Sequence, residues 1–335
     1  MNDVVNILAI ETSCDDTAAA VVQNNKVLSN VVSSQKIHEL YGGVVPEVAS
    51  REHDKLIVPV VNKALTSSGL RLNQIDAVAY TRGPGLMGSL LVGTSFAKSL
   101  SLSLNVPLLE INHMHAHILS IFIDDGKDIP TFPFLALTVS GGHTQLVIVN
   151  SASDFNLIGT TLDDAAGEAF DKSGKLLGFE YPAGPKIDKI ANDGDPNKFK
   201  FTKPNVAGHD FSFSGLKTNF KNFILSKDKL FIEDNLNDIC ASLQMTIIDI
   251  LIDKIKVASN KFMINQIVVC GGVSANSKLR SELKALENEK IKTYVPELQY
   301  STDNAAMIGI SGYYKFLNSN FGNLSDQSTA KYPLS

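Results

Sequence analysis

Three of the seven histidines fall in one short stretch, INHMHAHIL, at positions 113, 115 and 117. In a strand all three would share one face. In a helix His113 and His117, four residues apart, share a face while His115 points elsewhere. Met114, Ile118, Ile121 and Phe122 recur at helical spacing, so a helix is predicted. His113 and His117 then make a two-point chelate. Imidazole suits zinc, iron, nickel or copper, and a third ligand must come from elsewhere. The plainer reading is one buried histidine and two on a wet face, and spacing alone leaves both open. HxxxH also occurs in zinc proteases, where a glutamate follows the first histidine as general base. Met114 stands there instead, which disfavours that chemistry.

Other residues point to nucleotide or acid chemistry. Gly83-Pro84-Gly85-Leu86-Met87-Gly88 matches GxGxxG between an expected strand and a helix, with Glu110 at a distance suited to a ribose. Pro84 stiffens that turn, and a lone GxGxxG is weak. Ser140-Gly141-Gly142-His143-Thr144 joins two apolar runs, and its amides could nest an anion or simply make a hairpin turn. Gly271-Gly272, with Ser274 and Asn276, lies where a strand gives way to a helix, a usual resting place for a nucleotide. Ser214 and Lys217 form SxxK without its KTG companion, a decoy. Asp164, Glu168 and Asp171 would make one acidic helix face, solvated or ligand-binding. NKFKFTK interleaves Lys198, Lys200 and Lys203 with Phe199 and Phe201, which suits RNA or a half-wet hairpin, the hairpin being favoured.

These residues need elements to hold them. NILAI, a polar turn and AAAVV read as strand, turn, strand, and FLALTV, SGGHT and QLVIV repeat the unit half a chain later. IDAVAYT, a helix and VPLLEI in the first half match INQIVVC, a helix and KTYVPE in the second. This internal duplication predicts an α/β protein of two lobes with ligands at the carboxyl ends of the strands. The turn-rich stretch at about 180–230 reads as an insertion lining the cleft. STDNAAMIGISGYYKF reads as a helix with Ser301, Thr302, Asp303 and Asn304 at its start. The apolar face from Arg51 to Leu65 reads as a docking surface or as core.

The net charge of −5 argues against a protein that grips nucleic acid by charge alone. Cys14, Cys240 and Cys270 are few, odd in number and far apart, which fits a reducing compartment. The first residues lack the pattern of a signal or transit peptide, and the apolar region 83–109 is broken by Lys98, so a cytoplasmic protein without a membrane span is expected.

IETSCDDT, YGGVVPEVASREH, GPGLMGSLLVG, NHMHAH, VSGGHTQL, DDAAGEAFDK, YPAGP, DFSFSGLKT, GGVSAN and STDNAAM occur in this order. Together they resemble the tRNA N(6)-adenosine threonylcarbamoyltransferase family, TsaD in bacteria, over nearly the whole chain. The resemblance implies a duplicated actin-like, Hsp70-like and sugar-kinase-like (RNase H-like) fold, with a nucleotide cleft between its lobes. The expected lobes are 1–130 plus 304–335, and 131–303. It implies one Fe(2+) or Zn(2+) ion on His113, His117 and Asp303. Substrate contacts carry over to Thr138, Val139, Ser140, Gly141, Gly142, Asp171, Gly184, Asp188 and Asn276. The implied reaction moves threonylcarbamoyl from threonylcarbamoyl-AMP to N(6) of the adenosine next to the anticodon (position 37), in tRNAs reading codons that begin with A, and releases AMP. ATP or ADP can occupy the same cleft. Implied partners are tRNA, a paralogous inert dimer partner, a small ATPase and the synthase that makes the donor. The general base is open, with Glu11, Asp15 and His143 as candidates. The family's HMEGH is HMHAH here, with His115 for Glu and Ala116 for Gly, and its YPGGP is YPAGP, with Ala183 for Gly. A non-catalytic nucleotide-binding scaffold and an ATP-dependent small-molecule kinase are the alternatives. The histidine pair argues against the kinase, and the inert paralogue would be expected to lose the ligands that this chain keeps.

Overall fold

Apolar runs bounded by small polar turns become central strands, because only a strand covered on both faces can be apolar at every position. Asn6–Glu11 (β1) and Asp16–Gln23 (β2) pair antiparallel, Ile7 opposite Val22 and Ile10 opposite Ala19. Lys26–Ser34 (β3) continues the antiparallel ladder. Pro46–Ser68 (α1) starts on a proline and stops at Gly69, whose left-handed backbone (φ 74°) returns its amide to the Thr66 carbonyl. Ala77–Gly83 (β4), Met87–Leu104 (α2) and Leu108–Asn112 (β5) follow, and His113–Leu119 is a short helix (α3). The sheet order is β3-β2-β1-β4-β5, with β4 and β5 parallel to β1. The computed structural model describes residues 4–334; residues 1–3 and 335, the outer ends of the first expected lobe, lie outside them.

The second half repeats this plan. Phe134–Val139 (β6), Thr144–Ser151 (β7) and Asp154–Thr160 (β8) precede Ala166–Leu176 (α4), Gly184–Ala191 (α5), Ser214–Leu225 (α6), Lys229–Asp234 (α7) and Leu236–Phe262 (α8). Gln266–Cys270 (β9), Ser277–Ala285 (α9), Lys292–Tyr294 (β10), Leu298–Ser301 (α10) and Ala305–Leu317 (α11) complete the order. The second sheet runs β8-β7-β6-β9-β10, strand for strand the arrangement of the first. The duplication read from two strands per hairpin therefore has a third strand in each copy. β3 and β8 are half exposed, so neither reads as an apolar run.

Contacts divide the chain into two units, Met1–Ile129 with Ser151–Phe155 and Thr302–Ser335, and Pro130–Asn150 with Asn156–Ser301. The first core packs Ile57, Val60, Val61 and Ala64 of α1 against β2 and β3. The face read as a possible docking surface is thus core. The helix α11 also covers β1 and β2, so closely that a Cβ on Gly309 would stand 2.4 Å from Val22 Cγ2. In the second unit the stretch expected as a cleft-lining insertion supplies Phe201, Phe211, Phe213 and Phe220 to the core. No helix among the described residues is long and apolar enough to cross a membrane.

Candidate metal centre and nucleotide-binding turns

The strand β5 runs directly into α3, and Asn112 makes the join. Its Oδ1 accepts from the amides of Met114 (2.9 Å) and His115 (3.3 Å), capping the helix. The helix then holds His113 and His117 buried on one face, as their spacing predicts, with Nε2 atoms 3.1 Å apart. Asp303 comes from the polar turn before α11. Its Oδ1 lies 3.1 Å from His117 Nε2 and 3.4 Å from His113 Nε2. Asn304 holds that turn, accepting from the Met307 amide (3.1 Å) and donating to the Thr302 carbonyl (2.7 Å).

Three ligand atoms thus form a triangle with sides of 3.1, 3.1 and 3.4 Å. Ligands about 2.0–2.1 Å from one ion stand roughly 2.8–3.0 Å apart in octahedral and roughly 3.3–3.4 Å apart in tetrahedral geometry. The donor set fits a single divalent ion, with further positions left for water or substrate. Behind it, His113 Nδ1 faces Glu11 Oε2 (3.3 Å) and Ser13 Oγ (3.2 Å). A carboxylate behind the ring orients a metal-binding histidine and fixes its tautomer. His117 Nδ1 has no hydrogen-bond partner among the described residues.

Burial disfavours charge on all three ionisable groups of this cluster, and their mutual attraction outweighs it. Burial would lower the pKa of His113, yet Asp303 and Glu11 push it up to about 10. Burial likewise opposes ionisation of Asp303, but His113 and His117 hold its carboxyl well below the usual range. Glu11 is lowered too, by His113 and Ser13 against its burial. An incoming cation therefore meets one anionic ligand and one anionic neighbour.

His115 faces away from this cluster. Its Nε2–H donates to the Leu334 carbonyl (2.6 Å), and its ring stacks on Phe155, with centroids 3.8 Å apart. Burial lowers its pKa to about 4, so it is neutral. Among the base candidates, Glu11 is fully buried, accepting from the Ser13 amide (2.5 Å) and the Thr81 hydroxyl. It faces Nδ1 of His113 (3.3 Å). Asp15 and His143 are half-buried.

In the second unit the residues implied for substrate fall into three groups. Thr138 and Val139 end β6, and the Ser140 amide is spent on the His143 carbonyl (2.8 Å) within the turn. Gly141 and Gly142 are exposed, with open space where a Cβ would stand. Asp171 of α4 accepts from the amides of Ala183 (2.8 Å) and Gly184 (3.3 Å), holding the YPAGP loop. Asp188 of α5 accepts from the Ser277 amide (3.0 Å) and hydroxyl (2.7 Å). Beside it, Asn276 caps α9 at the Leu279 amide (2.9 Å) and donates to Gln244 (2.8 Å).

The remaining motifs resolve into structure. In GPGLMG, a Cβ on Gly83 would stand 2.1 Å from Thr329 O, and one on Gly85 2.5 Å from Ser13 O. Neighbouring chain fills that turn, and Glu110 pairs with Arg82 (2.7 Å). No ribose-binding arrangement remains. The acidic face is broken up: Asp164 lies before α4 and binds Lys172 and Lys217 (2.6 Å each), while Glu168 also binds Lys172. Lys217, the lysine of SxxK, is thus a structural cation. In NKFKFTK, Lys198 pairs with Asp238, Lys203 with Asp249 and Asp253, and both phenylalanines pack against Phe223. That stretch is coil, not the favoured hairpin.

The profile of the TsaD family, tRNA N6-adenosine threonylcarbamoyltransferase, matches residues 26–310. The chain belongs to this family. A tRNA N6-adenosine threonylcarbamoyltransferase of Christiangramia forsetii is 58% identical over 98% of both chains, and one of Porphyromonas gingivalis is 54% identical over 94% of both. As a member of this threonylcarbamoyltransferase family the chain is an enzyme, a transferase. Solved structures bear on the fold. Full-length HypF aligns over 95% of this chain and 47% of its own, with a TM-score of 0.64 at 13% identity. The activator of 2-hydroxyisocaproyl-CoA dehydratase from Clostridium difficile aligns over 96% and 100%, with 0.54 at 13%. These neighbours share the two-lobed actin-like α/β architecture.

Proposed function

We propose that this threonylcarbamoyltransferase modifies tRNA in the cytoplasm. It transfers the threonylcarbamoyl group from threonylcarbamoyl-AMP to N(6) of adenosine 37, next to the anticodon, in tRNAs reading codons that begin with A. The observation that carries the reading is the triangle of buried His113 and His117 with half-buried Asp303 in a chain of this family. A divalent iron or zinc ion held there would supply Lewis acidity toward a carbonyl or the threonyl carboxylate.

The protein's own groups do the rest. Glu11 accepts a hydrogen bond from Nδ1–H of His113, which would leave Nε2 as the nitrogen that binds the ion. The amides of Gly141 and Gly142 receive an anionic oxygen of the donor, where fixed dipoles act without reorganising. The loop held by Asp171, with Asp188 and Asn276, receives the ribose and base of the adenylate. The N(6) amine is a weak nucleophile, so activation lies on the donor side: the mixed anhydride breaks at the carbamoyl carbon, and AMP leaves with the bonding pair. His143 or Asp15 takes the proton of the attacking amine, alone or through water. The chain works with tRNA, a paralogous dimer partner, a small ATPase and the donor synthase, and a partner surface offsets its acidic charge.

The test is transfer of labelled threonine from pre-formed threonylcarbamoyl-AMP to tRNA, with partner proteins present and metal content assayed. Transfer by the wild type, lost together with metal in His113→Ala/His117→Ala, is expected. Transfer that survives metal loss would reduce the ion to a structural part. No transfer by the wild type beside competent partners would favour the non-catalytic scaffold.

A further inference from the structure

The metal-bearing helix α3 has two turns, too few to be stable alone. Its anchors must come from tertiary contacts, and one set comes from residues 323–334. This segment lies along β4, where the Thr329 amide donates to the Arg82 carbonyl (3.1 Å) and Arg82 Nε donates to the Gln327 carbonyl (2.8 Å). The approach is close enough that Gly83 has no room for a side chain. The segment then reaches α3 at two points. Asn112, whose Oδ1 caps the helix, donates from Nδ2 to the Pro333 carbonyl (2.8 Å). His115, between the two ligands and facing the other way, donates to the Leu334 carbonyl. The Leu334 side chain is buried.

A carbonyl accepts and cannot donate, so His115 must carry its proton on Nε2 and Asn112 must present its amino group. Both contacts are polar and specific in direction, one at the cap of the helix and one opposite the ligand face. Rotation of α3 by 20° would carry a side-chain tip about 2 Å around the axis, whereas ligand distances tolerate about 0.2 Å.

We infer that residues 323–334 form a strap that sets the rotation of α3, with His115 and Asn112 as the positioning residues through which it acts on the ligands His113 and His117. The inference rests on the metal-centre reading for its consequence, but the strap itself is readable without metal.

The experiment compares full-length wild type, His115→Ala, His115→Gln and Asn112→Asp by hydrogen exchange, and by the visible absorption and chelator-driven release of Co²⁺. Glutamine keeps a donor near the Nε2 position. Aspartate keeps the cap but turns the donor into a second acceptor facing Pro333. The loss of one or two hydrogen bonds predicts exchange about tenfold faster in both residues 328–334 and residues 113–119 for His115→Ala and Asn112→Asp. Co²⁺ release should speed by a similar factor with an altered band shape, and His115→Gln should return both toward wild type. A strap that loosens while α3 keeps its protection and its Co²⁺ band would overturn the inference, as would no loosening at all. A wild type that takes up no Co²⁺ would defeat the metal reading, and exchange across α3 would still decide the strap.

Discussion

Glu11 Oε2 lies 3.3 Å from Nδ1 of His113, across 102 residues of sequence. The carboxylate is itself held, by the Ser13 amide at one oxygen and the Thr81 hydroxyl at the other. It can accept but not donate, so Nδ1 of His113 carries a proton, and an incoming ion would displace the other proton from Nε2, which faces His117 and Asp303. Replacing Glu11 by Gln keeps the shape and removes the charge. Metal affinity should fall about 10- to 100-fold, read by competition with a chromophoric chelator. Unchanged affinity would mean that Ser13 alone orients the ring.

The Asp164 carboxylate offers a stability test away from the metal cluster. Burial opposes its ionisation, but hydrogen bonds from Lys172 and Lys217 lower its pKa. A carboxyl lowered on folding adds stability above its unfolded value of about 3.9, and that stability is lost as pH falls through the lower folded value. Asp164→Asn should cost about 1–2 kcal/mol at pH 7, with the gap to wild type closing below pH 4. Ser214→Ala, at the other end of the SxxK pattern, should stay within about 0.5 kcal/mol. Urea titrations at pH 7 and pH 3 decide both; a gap that persists in acid would assign the effect to packing.

The duplicated sheets were legible because their inner strands are covered on both faces and read as apolar runs, NILAI and FLALTV alike. β3 and β8 were not, since half-exposed edge strands mix polar and apolar residues. The histidine pair showed in its spacing, because α3 places neighbours four residues apart on one face. Asp303 is 186 residues from His117, and only the family resemblance brought it in. Nothing local marks Glu11 as a neighbour of His113, because the two are 102 residues apart in sequence. The alternation in NKFKFTK favours a half-wet hairpin, yet the stretch is coil, because composition does not show which acids and rings will meet its lysines and phenylalanines.

The three cysteines give a chemical readout of the fold. Burial pushes the Cys240 thiol up to about 12 and raises Cys270 as well. Cys14 is raised by burial and by the carboxylate of Asp15. Thiolate is the reactive form, so each native thiol stays protonated at pH 8. A disulfide reagent should modify all three at least about a hundredfold more slowly in native protein than in urea. Rapid native labelling of one cysteine, located by peptide mapping, would show that its surroundings open.

Asn304 links the third ligand to the helix behind it. Its side chain accepts from the Met307 amide at the start of α11 and donates to the Thr302 carbonyl on the other side of Asp303. Both bonds close the turn that aims Asp303 at the histidines. Asn304→Ala loses both, and should cost about 1 kcal/mol of stability for the missing cap together with weaker metal binding. Asn304→Asp keeps the cap acceptor and loses the donor, leaving two oxygens opposed at Thr302. It should therefore hold its helix but bind metal more weakly than wild type. Thermal unfolding with and without metal separates the two effects. If Asn304→Asp matches wild type in metal affinity, the aim of Asp303 depends on the cap alone.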